Sequence, residues 1–202
     1  MIGNDLIYLP DWPQRQGLRL KRFRAKVFTA KELSLIEEAE QPYFIEALLW
    51  SVKEAAYKVW LKATHRPAYN PKNFEVQTEL SPSGGSQAKP TEGLVSFEDG
   101  SLSPYPFYST QENDFLATYV LQQTEQPFSE SFWRTKQQCI LHQARTWKLQ
   151  KNTLNIPYAI YQNRYLELSL SHDGGLFWYI WFTEPQPLPT QEFFSQTNNH
   201  KN

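Results

Sequence analysis

The stretch from Tyr43 to Lys62 constrains this chain more than any other. Phe44, Ala47, Leu48, Val52, Ala55, Val59 and Trp60 recur at helical spacing, and Pro42 and Pro67 bracket the run. A helix that is apolar nearly all round must be covered on most sides, so its few charged groups are expected at a cleft or an interface. Within it, Lys53-Glu54-Ala55-Ala56-Tyr57-Lys58 puts Glu54 and Lys58 four apart on one face, with Trp50 one turn earlier. On an ordinary surface helix such a pair is a structural ion pair worth about 0.3–0.5 kcal/mol. Here the covering of the helix weighs toward function.

Around this helix the pattern reads as α+β. Ile2 to Leu9 is a short buried strand carrying one carboxylate, Asp5, and Pro10 and Pro13 end it. A basic connector leads to Lys26-Val27-Phe28. Thr29-Ala30-Lys31-Glu32 then has the form of a capping box and opens a helix reaching about Ala39. Phe74 to Gln77 reads as a strand, Ser81 to Thr91 as a Ser/Gly/Pro-rich loop, Leu94–Phe97 and Tyr105–Tyr108 as a hairpin, and Phe115 to Leu121 as a further strand. Ser129 to Lys151 is expected to form a second long helix, with Phe132, Cys139, Ile140, Ala144 and Trp147 on its apolar side. Strand-like runs follow at 158–160, 166–170 and 176–182. The expected organisation is two related halves, 1–125 and 126–190, each a long helix packed on a small antiparallel sheet, and a polar tail over 191–202.

Composition excludes several classes. With 202 residues, 40% of them hydrophobic and seven Trp, there is ample material for a core. The formal net charge of -1 gives no global basic field for nucleic acid. Charge is nonetheless local: Arg15, Arg19, Lys21, Arg22, Arg24, Lys26 and Lys31 fall in one stretch without an acidic residue. That patch fits an acidic partner or a phosphorylated ligand, and equally a solvated face balanced by Glu32, Glu37, Glu38 and Glu40. One cysteine, Cys139, permits no internal disulfide and no Cys-based zinc site, and is expected as a packed thiol. No run approaches the roughly 20 apolar residues of a membrane span, so no membrane association and a cytoplasmic address are the expectations.

Two further features carry possible chemistry. Asp5 among Ile2, Leu6 and Ile7 is costly to bury unless it is paired or binds a cation, the other reading being a strand end that reaches water. Asp5 and Glu54 together would offer the hard oxygen donors that Mg2+ takes alongside water and substrate phosphate. Ser169-Leu170-Ser171-His172-Asp173-Gly174-Gly175 offers a hydroxyl, an imidazole and backbone N–H groups suited to phosphate, although a plain hairpin turn explains it as well.

Taken in order, these pieces resemble the 4'-phosphopantetheinyl transferase superfamily. The resemblance rests on Gly3-Asn4-Asp5, on Arg22-Phe23 through Lys26, Phe28, Thr29 and Glu32, on Trp50 through Lys53-Glu54-Ala55 and Lys58, on Asn70 to Val76, and on Ser169 to His172. It implies transfer of 4'-phosphopantetheine from coenzyme A to a serine of an apo acyl or peptidyl carrier protein, as in holo-acyl-carrier-protein synthases of fatty acid synthesis. Adenosine 3',5'-bisphosphate would be released. By the same resemblance Asp5 and Glu54 would hold Mg2+, and Lys58 would neutralise the diphosphate. Glu54 would help deprotonate the serine, and Lys53 would brace the site on the coenzyme side. Ser171 and His172 would bind the coenzyme's 3'-phosphate. Arg15, Arg19, Arg22 and Lys26 would receive the acidic carrier protein. Ile7 stands where larger relatives carry another acidic ligand, so two protein carboxylates are expected, and Ile156 stands before Pro157 where many relatives have lysine. A monomeric internal pseudo-dimer with one site at the junction is expected rather than a homotrimer. The alternatives are an inactive carrier-protein binder of the same fold and an unrelated protein-interaction module.

Overall fold

A computed structural model describes residues 1–16, 20–78, 91–97, 100, 103–122 and 126–188. The expected loop from Ser81, half of the link at 124–127, and the tail over 191–202 therefore lie outside the described residues, Thr91 excepted. The chain folds as α+β with two antiparallel sheets. The first takes the order β1(Ile2–Tyr8)-β5(Phe115–Leu121)-β4(Tyr105–Glu112)-β3(Thr91–Phe97)-β2(Phe74–Thr78). The second takes the order β6(Phe128–Trp133)-β11(Leu176–Phe182)-β10(Arg164–Asp173)-β9(Pro157–Tyr161)-β8(Arg145–Lys151)-β7(Cys139–His142), with the two-residue β12(Gln186–Pro187) beside β10.

Four helices are described, α1(Trp12–Gln16), α2(Leu20–Val27), α3(Ala30–Glu38) and α4(Pro42–Thr64). The basic connector is thus helical over most of its length. α3 starts at the expected capping box: the Thr29 N–H donates to Glu32 Oε2 at 2.8 Å, and the Glu32 N–H donates to Thr29 Oγ1 at 3.3 Å. α4 begins at Pro42, where a missing N–H costs nothing, and ends with His65 in the left-handed region. No helix among the described residues is long and apolar enough to cross a membrane.

α4 covers the first sheet. Val52, Ala55, Ala56 and Val59 enter one core with Val76, Val95, Phe107, Leu116 and Val120. Gly3 sets how closely β1 approaches: a Cβ there would lie 2.1 Å from the Ala55 carbonyl oxygen. Side chains alternate along a strand. Ile7 joins the core under α4, whereas Ile2 and Leu6 pack with Leu121, Trp178, Ile180 and Phe182 between the two sheets. Asp5 shares the α4-facing side with Gly3 and Ile7.

The expected helix over 129–151 is replaced by β6, β7 and β8. Gln143 and Ala144 have φ of 49° and 57°, the left-handed pair of a two-residue hairpin turn, and no helix passes through such a pair. Ile140 and Trp147 point inward with period two, while Cys139 and Leu141 face solvent, so Cys139 is an exposed thiol and not a packed one. The second half therefore lacks the long helix that the two-halves reading gave it.

The two sheets meet along β1 and β10, and the joint is unusual in kind. The N–H groups of Ile2, Asn4, Leu6 and Tyr8 donate to side chains of β10: Glu167 Oε1 (2.9 Å), Ser169 Oγ (3.2 Å), Ser171 Oγ (3.0 Å) and Asp173 Oδ2 (2.7 Å). The β1 carbonyls are met from α4. Lys62 Nζ donates to Ile2 O (2.5 Å), Leu168 O (3.0 Å) and Glu167 Oε1 (3.0 Å); Lys58 Nζ donates to Asn4 O (2.5 Å) and Leu170 O (3.2 Å).

Burial works against the Glu167 carboxylate, yet Lys62, the Met1 ammonium and the Ile2 N–H outweigh it and hold its pKa below the usual range. Its contribution to stability is therefore complete above about pH 4.5 and lost as pH falls through the lower folded value. Replacing either partner strands the other's charge. Glu167→Gln or Lys62→Met is expected to cost about 3 kcal/mol in urea denaturation at pH 7, the low end for a buried pair because Glu167 keeps some contact with water. The gap between the wild type and Glu167→Gln should narrow below pH 4.

Candidate active site

Where α4 crosses β1 beside the joint, three ionisable groups converge. Asp5 comes from β1, and Glu54 and Lys58 from successive turns of α4. Lys58 Nζ lies 3.9 Å from Asp5 Oδ1, with the two side chains 26% and 12% exposed, so the cluster is enclosed but reachable. Ser171 Oγ donates to Asp5 Oδ1 at 3.0 Å. Asp5 and Glu54 are close enough for each charge to bear on the site: burial chiefly raises the Asp5 pKa from 3.8 to about 6, with Lys58 opposing and Glu54 adding to the rise. Burial also raises Glu54, against Tyr69 and Lys58, and lowers Lys58, against both carboxylates.

Two buried hydroxyls complete the surroundings. Ser51 lies beside Asp5 and Tyr69 beside Glu54, each tempering its neighbour's charge, yet neither hydroxyl reaches a partner in good hydrogen-bond geometry. Burial and then Glu54 keep Tyr69 protonated. Buried hydroxyls held only loosely against raised carboxylates are atoms that a bound cation and its water shell would engage. Asp5 and Glu54 have the donor chemistry for Mg2+. No group of three or more His, Cys, Asp or Glu side chains gathers as a metal centre among the described residues, so a cation here would take its remaining ligands from water and substrate.

The other residues singled out from sequence go elsewhere. Lys53 is turned into the core, where its ammonium meets Glu32 Oε1 at 2.9 Å and the carbonyls of Pro71 and Phe74. It is fully buried and braces α4 against α3 and the start of β2; it presents no donor to a ligand. The pair Ser171-His172 is split by strand alternation. Ser171 points into the joint, 7% exposed, its hydroxyl spent on Asp5 and the Leu6 N–H, which removes it as a phosphate contact. His172 is exposed with its ring edge-on to Phe177 at 5.3 Å. The turn that follows is a true hairpin turn, Gly174 and Gly175 having φ of 51° and 76°; a Cβ on Gly174 would strike Tyr8 at 2.7 Å.

Arg22 and Lys26 are exposed on α2, four residues apart. Arg15 belongs to α1, though its side chain is outside the description, and Arg19 lies outside the described residues. Sequence reasoning missed Ser51 and Tyr69. Ser51 had a signal, sharing a helical face with Glu54 and Lys58 at spacings of three and seven; Tyr69, beyond the helix end, had none.

A family model matches residues 1–120, from β1 to within β5, and is described as the 4'-phosphopantetheinyl transferase superfamily. The fold is thus that of the phosphopantetheinyl transferase class. The chain belongs to the 4'-phosphopantetheinyl transferase superfamily. No curated protein matches the chain.

Because Asp5 is raised, the folded state holds its proton more tightly than the unfolded chain between pH 3.8 and about 6. The contribution is complete below the lower value and lost as pH rises through the upper one. In metal-free buffer, Asp5→Asn should therefore gain thermal stability relative to the wild type between pH 4 and pH 7; a constant difference would contradict the shift.

Proposed function

We propose that the protein transfers 4'-phosphopantetheine from coenzyme A to a serine of an acidic apo carrier protein, with Mg2+ as cofactor. The observation that carries this is the meeting of Asp5, Glu54 and Lys58 in one mostly buried cluster, inside the segment that matches the family model. Asp5 and Glu54 would hold the cation, which supplies charge neutralisation at the diphosphate when bound. Lys58, fixed on the Asn4 and Leu170 carbonyls, lends a positioned positive charge to the same oxygens. The seryl oxygen forms a bond to the phosphorus next to pantetheine. The bond from that phosphorus to the bridging oxygen breaks, and adenosine 3',5'-bisphosphate leaves. Glu54, whose pKa burial raises, takes the seryl proton. Such a reaction asks the protein for positioning and charge and no covalent intermediate.

His172, exposed on β10 one residue past Ser171, is offered to the 3'-phosphate. Arg22 and Lys26 on α2 offer the carrier protein a positive face. We read residues 1–125 and 126–190 as two halves with one site at their joint, active as a monomer in the cytoplasm.

Incubation with coenzyme A, Mg2+ and an apo acyl carrier protein should add the mass of phosphopantetheine to the carrier. EDTA should abolish the gain, and Glu54→Ala should slow it at least about 100-fold. Unmodified carrier across acyl and peptidyl types, with binding retained, would instead establish the inactive binder. The double charge reversal Arg22→Glu, Lys26→Glu should raise KM for the carrier by about tenfold at low salt, with kcat kept and the effect shrinking as salt rises.

A further inference from the structure

Asp5 is held from two sides, and one of them is the half that the family match does not reach. Ser171 stands on β10, in the second sheet. Its hydroxyl has one proton and two lone pairs. The proton goes to Asp5 Oδ1 at 3.0 Å, and a lone pair receives the Leu6 N–H at 3.0 Å. Leu6 directly follows Asp5, so the same oxygen fixes both the carboxylate and the backbone that carries it. Ser169 makes the corresponding bond to the Asn4 N–H at 3.2 Å without touching either carboxylate. The joint itself therefore needs a hydroxyl at each place, and only the one at 171 reaches the site.

We propose that Ser171 is a positioning residue: it orients the Asp5 carboxylate for a divalent cation, so that the second sheet completes a cation site whose ligands lie on β1 and α4. The inference rests on the reading of Asp5 as a cation ligand. A hydrogen-bond donor on the oxygen not given to the cation fixes the rotamer of a carboxylate, and loss of such an outer partner commonly costs 10- to 100-fold in metal affinity. The Ser171 hydroxyl has no proton left to give a phosphate, so it does this without donating to the coenzyme.

The test is titration of the full-length protein with Mn2+ in place of Mg2+, free Mn2+ being read by electron paramagnetic resonance with no coenzyme present. Ser171→Ala should weaken Mn2+ by about tenfold or more. Ser171→Thr, which keeps the hydroxyl, should restore it, and Ser169→Ala should leave it unchanged while losing a similar backbone bond. Ser171→Cys fills the same space with a poor donor and should weaken Mn2+ as alanine does, which carries the test if the alanine variant does not fold. The preference in kcat/KM for coenzyme A over its 3'-dephospho form should be unaltered in Ser171→Ala and reduced in His172→Ala. Unchanged Mn2+ affinity in both Ser171→Ala and Ser171→Cys overturns the proposal, as does loss of the 3'-phosphate preference in Ser171→Ala. Failure of the unaltered protein to bind Mn2+ overturns the functional reading beneath it, and the proposal with it.

Discussion

The structure depends on how the exposed edge of β1 is satisfied. One edge of that strand pairs with β5 in the usual antiparallel ladder, Ile2 opposite Leu121 through Tyr8 opposite Phe115. The other edge would present a row of unpaired N–H and C=O groups, which buried would cost about 1–3 kcal/mol each. No backbone ladder answers them. Four N–H groups are taken by Glu167, Ser169, Ser171 and Asp173, and two carbonyls by Lys62 and Lys58. The partner of each donor lies the same 165 residues further on, so β1 and β10 run in the same direction, side by side. The lysines fit because four helical residues advance about 6 Å and two strand residues about 6.6 Å, which brings Lys58 and Lys62 over alternate carbonyls.

This joint explains why the site lies where it does. Side chains that reach sideways to a strand edge hold two sheets at a distance that a backbone ladder would not, and the space is filled by lysines from α4. Lys58 is therefore bound first by architecture, bridging Asn4 and Leu170, and only its remaining direction faces Asp5. The match to the family ends at residue 120, yet Leu170 and Ser171 hold two of the three groups in the cluster. The second sheet thus holds the cluster from outside the matched segment.

Much of the first sheet was legible, and the reasons are local. α4 declares itself by period and by its prolines, α3 by Thr29 and Glu32, and β1 by its apolar run; each is set by nearby residues. The second half failed where local signals conflict. Phe132, Cys139, Ile140, Ala144 and Trp147 happen to fall near a helical stripe, but the turn at Gln143-Ala144 carries no glycine or asparagine to announce it. Tertiary pairing decided against the helix. The spacing Glu167-x-Ser169-x-Ser171-x-Asp173 carries no local signal, because its partners are the N–H groups of a strand 165 residues away. Ser171 and His172 looked like one unit for the same reason: adjacency along the chain places them on opposite faces once that segment is a strand.

Charge along α4 separates the site from its supports. Lys53 is matched by Glu32, with carbonyl oxygens around it, and Lys62 by Glu167, which the Met1 ammonium also faces. At the level between them the balance changes, for Lys58 faces both Asp5 and Glu54. One negative charge is left over in a place with little water: burial first, and then the Glu54 charge, make Asp5 hold its proton until about pH 6, while burial raises Glu54 against Lys58. Had the cluster been a purely structural ion pair, a third ionisable group would add cost with no return. A divalent cation reverses the sign of the imbalance, and the two phosphates of a diphosphate then restore it. The site is electrically incomplete by itself in the direction that a metal-bound diphosphate would complete.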